Sequence, residues 1–444
     1  MSHTPYPTAL DFDLIDSLAG IAVGDALDAA RHRRPDARAH AQGSFEALFL
    51  PVDASDVSLS ERAAIGLFVA RLHADPAAVA FYGALLEATG GGVGLFPLIV
   101  AEAERSAGSG PYGAFHAENA PESTEGPVYE VSSVEAAYAL GDRLAAALEH
   151  AHLLVLHPRD AARERLQRLL DGGWSSTGVV TISQIVAFLS FQLRVVHGLA
   201  AVRTAGGGAT VAASDLRGLA AEVARVAEAK LSAAGDDPTL APAPAAEQLP
   251  AAPSVTEPPR FTQDSLGWKP WLQPLPVAEF TERHFEGLVE RERVHMPYFR
   301  VLARDPEALR ERTLTDLDIF NNVDAGLPRA DREFGAAVAS RLNGCVFCAS
   351  VHSRFATKQG ADRDAVQRLL DEGVGVRYGN RWDQLIDATV ALTVTPPRFG
   401  ADEVAALRGA GLDELELLDA IQAGSFFNWA NRLMLSLGEP TVVS

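Results

Sequence analysis

The chain has 444 residues, 48% of them apolar and 22% charged, with a formal charge of −20. This composition excludes an intrinsically disordered chain, and the length suffices for two or three domains. Cys345 and Cys348 are its only cysteines, which excludes a disulfide-stapled scaffold and any four-cysteine zinc or iron–sulfur site. The negative charge disfavours nucleic acid and anionic membrane surfaces as partners.

In chain order, the N-terminus MSHTPYPTALDFDLID has neither a basic n-region nor an apolar h-region, so no signal peptide is expected. Together with the two close cysteines, this points to the cytoplasm. Asp75-Pro76 reads as a helix start. Gly90–Gly94 and Gly206–Gly208 read as interhelical loops, because both lack the strand–loop–helix context of a nucleotide fingerprint. Residues 104–130 read as a surface insertion. Residues 132–157 and 180–202 are apolar runs of helical period, as are 381–396 and 413–437. Residues 232–259 form an Ala/Pro stretch that reads as an extended linker, dividing the chain into domains at 1–231 and 260–444. No apolar run approaches the ~20 residues of a membrane-spanning helix. The expected fold class is all-α.

The halves also look related. Residues 61–82 can be laid on 331–352 at an offset of 270, both carrying Arg-Leu at the same place. Further on, 155–160 resembles 394–399, and Ser190-Phe191 lines up with Ser425-Phe426, at offsets near 236. A duplicated helical domain with one insertion explains these matches.

The chemistry concentrates at 341–352. Asn343 or Gly344 is expected to cap a helix carrying Cys345, Cys348, His352 and Phe355, spaced three, four and three apart along one face. A helix N-terminus and a nearby imidazole both favour a thiolate. Glu333 lies twelve residues before Cys345; if the chain reverses near Asn343, it can approach His352. A carboxylate, an imidazole and a thiol in sequence form a proton relay. A peroxide then oxidises Cys348 to a sulfenic acid, Cys345 condenses with it, and an external dithiol reduces the disulfide. The competing readings are an inert buried pair, a zinc site and a thioredoxin-like CxxC. The last two fit poorly with a helical CxxC and a helix before it. Phe426, Phe427 and Trp429 read as core or subunit interface, with a pocket wall as the other reading.

Glu-x11-Cys-x2-Cys-x3-His, at Glu333, Cys345, Cys348 and His352, resembles the signature of the AhpD-like alkylhydroperoxidases of the carboxymuconolactone decarboxylase-like superfamily. Residues 295–303 (HMPYFRVLA) resemble the lead-in of its peroxidase-related members, and 424–433 (GSFFNWANRL) their closing helix; the resemblance covers about 275–438. It implies Cys348 as peroxidatic thiol, Cys345 as the resolving thiol that meets the reductant, and His352 and Glu333 as the relay. It further implies a duplicated AhpD-like helical domain, a homo-oligomer, no metal and no flavin. Phe347 stands where AhpD carries a histidine, which bears on reductant choice. In the first half Ala63, Asp75, Ala78 and Tyr82 occupy the four site positions, so residues 1–231 read as a degenerate copy. The expected activity is reduction of a hydroperoxide at the expense of a dithiol or thiol protein. A redox-sensing or thiol–disulfide exchange protein is the alternative.

Overall fold

The structure is a computed structural model that describes residues 8–90, 92–131, 133–209, 211–235 and 247–443. Among these the regular secondary structure is almost wholly helical, as the apolar periodicity predicts. The helices that build the core are α1 (Pro35–Phe49), α2 (Leu59–Leu72), α3 (Pro76–Ala88), α4 (Val134–Leu156), α5 (Ser176–Ala205) and α6 (Ala213–Ala234) in the first half. In the second half they are α7 (Pro306–Asn321), α8 (Arg329–Asn343), α9 (Val346–Lys358), α10 (Arg363–Glu372), α11 (Arg381–Thr393) and α12 (Glu414–Ser436). Local signals set many of their ends. Asp75 caps α3 by accepting from the Ala78 N–H, with Pro76 in the first turn. Asp413 caps α12 through its side chain, and Glu416 reaches back to the Asp413 N–H. The Gly90–Gly94 cluster is only partly a loop, since a helix runs over Gly92–Arg105.

Helix order and bounds recur between the halves. Adding 271 to Pro35 gives Pro306. Adding 270 to Leu59, Pro76 and Ala88 gives Arg329, Val346 and Lys358. Adding 238 to the Arg163–Asp171 helix gives Ala401–Gly409, again a helix. The offset changes across the 104–130 stretch.

Corresponding helices pack on each other between the halves: α1 on α7, and α5 on α12. The α5–α12 contact is close, because a Cβ built on Gly198 would lie 2.9 Å from Ile421. By length and composition α5 could cross a membrane, which the sequence reading did not anticipate. Its apolar residues face every direction because it is the central helix of the core, buried between both halves. Its polar residues find protein partners. Gln184 accepts from the Trp429 indole at 3.0 Å, and Arg194 donates to the Thr393 carbonyl at 2.9 Å. A buried fork joins α12 to the residue before α1: Arg34 donates to Asp419 through Nε at 2.8 Å and Nη2 at 2.7 Å. His40 meets Glu311 at 2.6 Å.

The Ala/Pro stretch begins inside α6, passes through 236–246, which lie outside the described residues, and continues as extended chain from 247. That extended chain lies against the body. Glu247 accepts from the Ser176 N–H at 3.1 Å, and the Thr256 carbonyl accepts from the Val442 N–H at 2.8 Å. Two short strands, β1 (Leu266–Pro270) and β2 (Gly438–Val442), pair antiparallel with Leu266 opposite Val442 and Pro270 opposite Gly438. They clamp the end of α12 beside the cleft described next.

Candidate active site

The α8–α9 reversal is set by Gly344. Its φ of 78° ends α8, the Cys345 N–H bonds the Ser340 carbonyl at 2.9 Å, and the Gly344 N–H bonds the Arg341 carbonyl at 3.4 Å. Position 344 also admits no side chain, because a Cβ there would lie 2.6 Å from the Arg159 side chain. Cys345 therefore stands at the N-cap of α9 and Cys348 in its first turn. The helix starts one residue later than a cap at Gly344 would place it, and two later than a cap at Asn343.

The reversal brings the four predicted residues together. His352 Nδ1 donates to Glu333 Oε2 at 2.6 Å, and Arg329 Nε donates to the other carboxylate oxygen at 3.1 Å. Glu333 is 1% exposed. This hydrogen bond fixes the imidazole tautomer and leaves Nε2 for proton traffic. The ring is held edge-on by Phe427, with centroids 4.0 Å apart, and is met at a tilt by Phe320 at 5.5 Å.

Both thiols are free and buried. Cys348 and His352, one helical turn apart, line a cleft of about 380 Å³ whose walls include Trp268, Phe347, Phe426, Phe427 and Met434. Cys345 lies behind that wall. Burial, and next the adjoining Cys348 thiol, push its pKa well above the ordinary range; the Cys348 N–H and the Asn431 amide pull less strongly the other way. For Cys345 burial overrides the helix terminus that the sequence reading expected to favour the thiolate.

The first half braces the back of this site. Arg159 donates to the Leu342 carbonyl at 2.8 Å, and Glu122 in the 104–130 stretch accepts from Arg341 at 2.6 Å. Phe115, from the same stretch, packs with Val346 and Ala349 of α9.

At the positions offset by 270 in the first half there is no thiol and no imidazole. Asp75 and Ala78 make a helix cap, and Tyr82 donates to Gln192 at 2.7 Å. Phe45, Phe49, Phe81 and Tyr82 are in mutual ring contact there. At the offset of 271, Phe45 stands where the second half has Asp316, so an aromatic side chain takes the place of a cleft residue.

Sequence reasoning did not single out Arg312 and Asp316 of α7, or Tyr298, as cleft residues, yet all three line it. Arg312 and Asp316 are one turn apart on a largely buried helix, and this spacing was the available signal. Of the closing-helix aromatics, Phe426 and Phe427 form the wall, whereas Trp429 is core, stacked on Phe191 at 5.6 Å. Among the described residues no group of three His, Cys, Asp or Glu side chains is placed to hold a metal ion.

Against known families, residues 306–391 match the model of the carboxymuconolactone decarboxylase family. No curated protein and no solved structure matches the chain. The matched segment runs from α7 through most of α11 and includes Glu333, Cys345, Cys348 and His352. The segment of this chain that is similar to that family therefore holds the dithiol, the imidazole and the carboxylate together.

Proposed function

We propose that the chain is a cysteine-based hydroperoxide reductase, with Cys348 as peroxidatic thiol, Cys345 as resolving thiol and Glu333–His352 as proton relay. One observation carries the reading. Cys348 and His352 share the wall of one aromatic cleft, and Glu333 is hydrogen-bonded to the imidazole from behind. His352 takes the Cys348 proton, and the thiolate attacks the terminal oxygen of the hydroperoxide. The S–O bond forms, the O–O bond breaks, and the alkoxide takes the proton from the imidazolium and leaves as an alcohol. The Cys345 sulfur then attacks the sulfenic sulfur. The S–S bond forms, and hydroxide leaves with the Cys345 proton as water. An external dithiol or thiol protein supplies the two electrons that reopen the disulfide. The raised proton affinity of Cys345 suits a thiol that waits for a sulfenic acid beside it.

Lactone decarboxylation, the activity in the family's name, has no need of a dithiol, and the paired thiols are why reduction is preferred. A redox sensor that reacts once is the second reading. It draws support from the burial of both thiols, 2% and 5% exposed, which restricts a protein reductant. We also infer that the first half is a degenerate copy of the second. The recurring helix bounds and the aromatic filling around Tyr82 support that reading.

Peroxide titration followed by mass spectrometry tests the mechanism. The expected products are a Cys345–Cys348 disulfide in the wild type and a sulfenic acid on Cys348 in Cys345→Ser. Sulfenic acid on Cys345 in Cys348→Ser, at the wild-type rate, overturns the roles. Consumption of many equivalents of peroxide with a recycling dithiol marks an enzyme; a single equivalent marks a sensor.

A further inference from the structure

We propose that the cleft takes an apolar hydroperoxide bearing one carboxylate, with Arg312 as the counter-ion of that carboxylate and the Tyr298 hydroxyl as a second donor to it. This names the substrate class of the peroxidase reading and rests on it.

Arg312 is 6% exposed and lines the cleft together with Cys348. Among the described residues its guanidinium makes no hydrogen bond and no ion pair within 4 Å; its Nε is buried without a partner. Its contacts are the ring faces of Phe426 at 5.3 Å and Trp429 at 5.8 Å. Other arginines buried as deeply have carbonyl or carboxylate partners on the guanidinium, although the Arg332 Nε is itself unpartnered. Arg34 meets Asp419, Arg62 the Leu48 and Val57 carbonyls, and Arg332 the Ile319 and Asn322 carbonyls. A buried guanidinium left without such partners is costly, and its planar fork matches a carboxylate.

Tyr298 supplies the second observation. Its hydroxyl is buried without a partner and lies within the electrostatic reach of Arg312 and of both thiols. Burial holds its pKa up at about 12, so it remains a donor. Asp316, one turn beyond Arg312, lines the same cleft and opposes a second negative charge. One cation facing one acid suits a single carboxylate and not a phosphate. The cleft volume of about 380 Å³ far exceeds the ~30 Å³ share of a water-sized molecule, and its aromatic walls suit a hydrocarbon body.

The test compares the hydroperoxide of an unsaturated long-chain fatty acid with its methyl ester, both below their micellar concentrations, on the full-length reduced protein. The expected kcat/KM favours the acid by about 10- to 100-fold, the range for a hydrogen bond to a charged group. That ratio should fall toward one in Arg312→Gln, recover in part in Arg312→Lys and rise in Asp316→Asn. An acid-to-ester ratio of one in the wild type overturns the proposal. So does an Arg312→Gln variant that slows acid and ester alike, which would make Arg312 the counter-ion of the Cys348 thiolate instead. If no hydroperoxide is consumed at all, the peroxidase reading fails separately. The head-group assignment is then read by calorimetry with the parent fatty acid and its methyl ester, where equal affinities refute it.

Discussion

Replacing Glu333 by Gln isolates what the carboxylate charge contributes. Glu333 is 1% exposed and accepts from His352 at 2.6 Å and from Arg329 at 3.1 Å. Glutamine keeps the volume and can still accept from the Nδ1–H, so the change removes charge and little else. What is lost is stabilisation of the imidazolium that forms when His352 takes the Cys348 proton. A charge-assisted hydrogen bond contributes about 1.5–3 kcal/mol against about 1 for a neutral one. The difference of about 0.5–2 kcal/mol corresponds to a roughly 2- to 30-fold slower attack on peroxide. Arg329 is 26% exposed and turns to water, so the fold should lose under about 1 kcal/mol. The measurement is rapid mixing of reduced protein with hydroperoxide in a Cys345→Ser background, following sulfenic acid on Cys348. A Glu333→Gln rate within twofold of the parent, at an unchanged thermal midpoint, would remove Glu333 from the relay.

Two further predictions concern the scaffold. Asp419→Ala strands Arg34 in the interior between the halves and should cost about 3–5 kcal/mol by urea unfolding; a loss under about 1 kcal/mol contradicts the buried fork. His150 is buried neutral, with its proton affinity lowered by burial from 6.5 to about 3. The unfolded chain therefore takes up a proton below pH 6.5 that the folded chain refuses, so stability is complete above pH 6.5 and falls as the pH drops. At pH 5 the loss is about 2 kcal/mol, at 1.36 kcal/mol per unit over 1.5 units. A shallower acid limb is expected for His150→Gln in urea midpoints between pH 7 and 5, and parallel curves for the two proteins contradict this account.

The all-α class was legible because each long helix carries an apolar period and many carry a cap. The site was legible because its residues are close in sequence. Cys345, Cys348 and His352 share one helix, and Glu333 needs only the Gly344 reversal to reach them. The missed features depend on distant contacts. Arg312 and Asp316 become cleft residues only when α7 packs beside α12. The β1–β2 pair joins five-residue segments some 170 positions apart, with no alternation strong enough to announce either strand. The all-round apolar surface of α5 finds its full cover only when α12, more than 200 residues away, packs on it. Nothing local marks the 104–130 stretch as a brace for α9, because Glu122 reaches Arg341, and Phe115 reaches Val346 and Ala349, across more than 200 positions.

The packing of α1 on α7 and of α5 on α12 has a consequence for concentration. Contacts that two separate chains would have to find by diffusion are here formed within one polypeptide, where the effective concentration does not depend on dilution. The props that the first half lends to the dithiol helix, Arg159 on the Leu342 carbonyl and Glu122 on Arg341, are therefore present in every folded molecule however scarce the protein is.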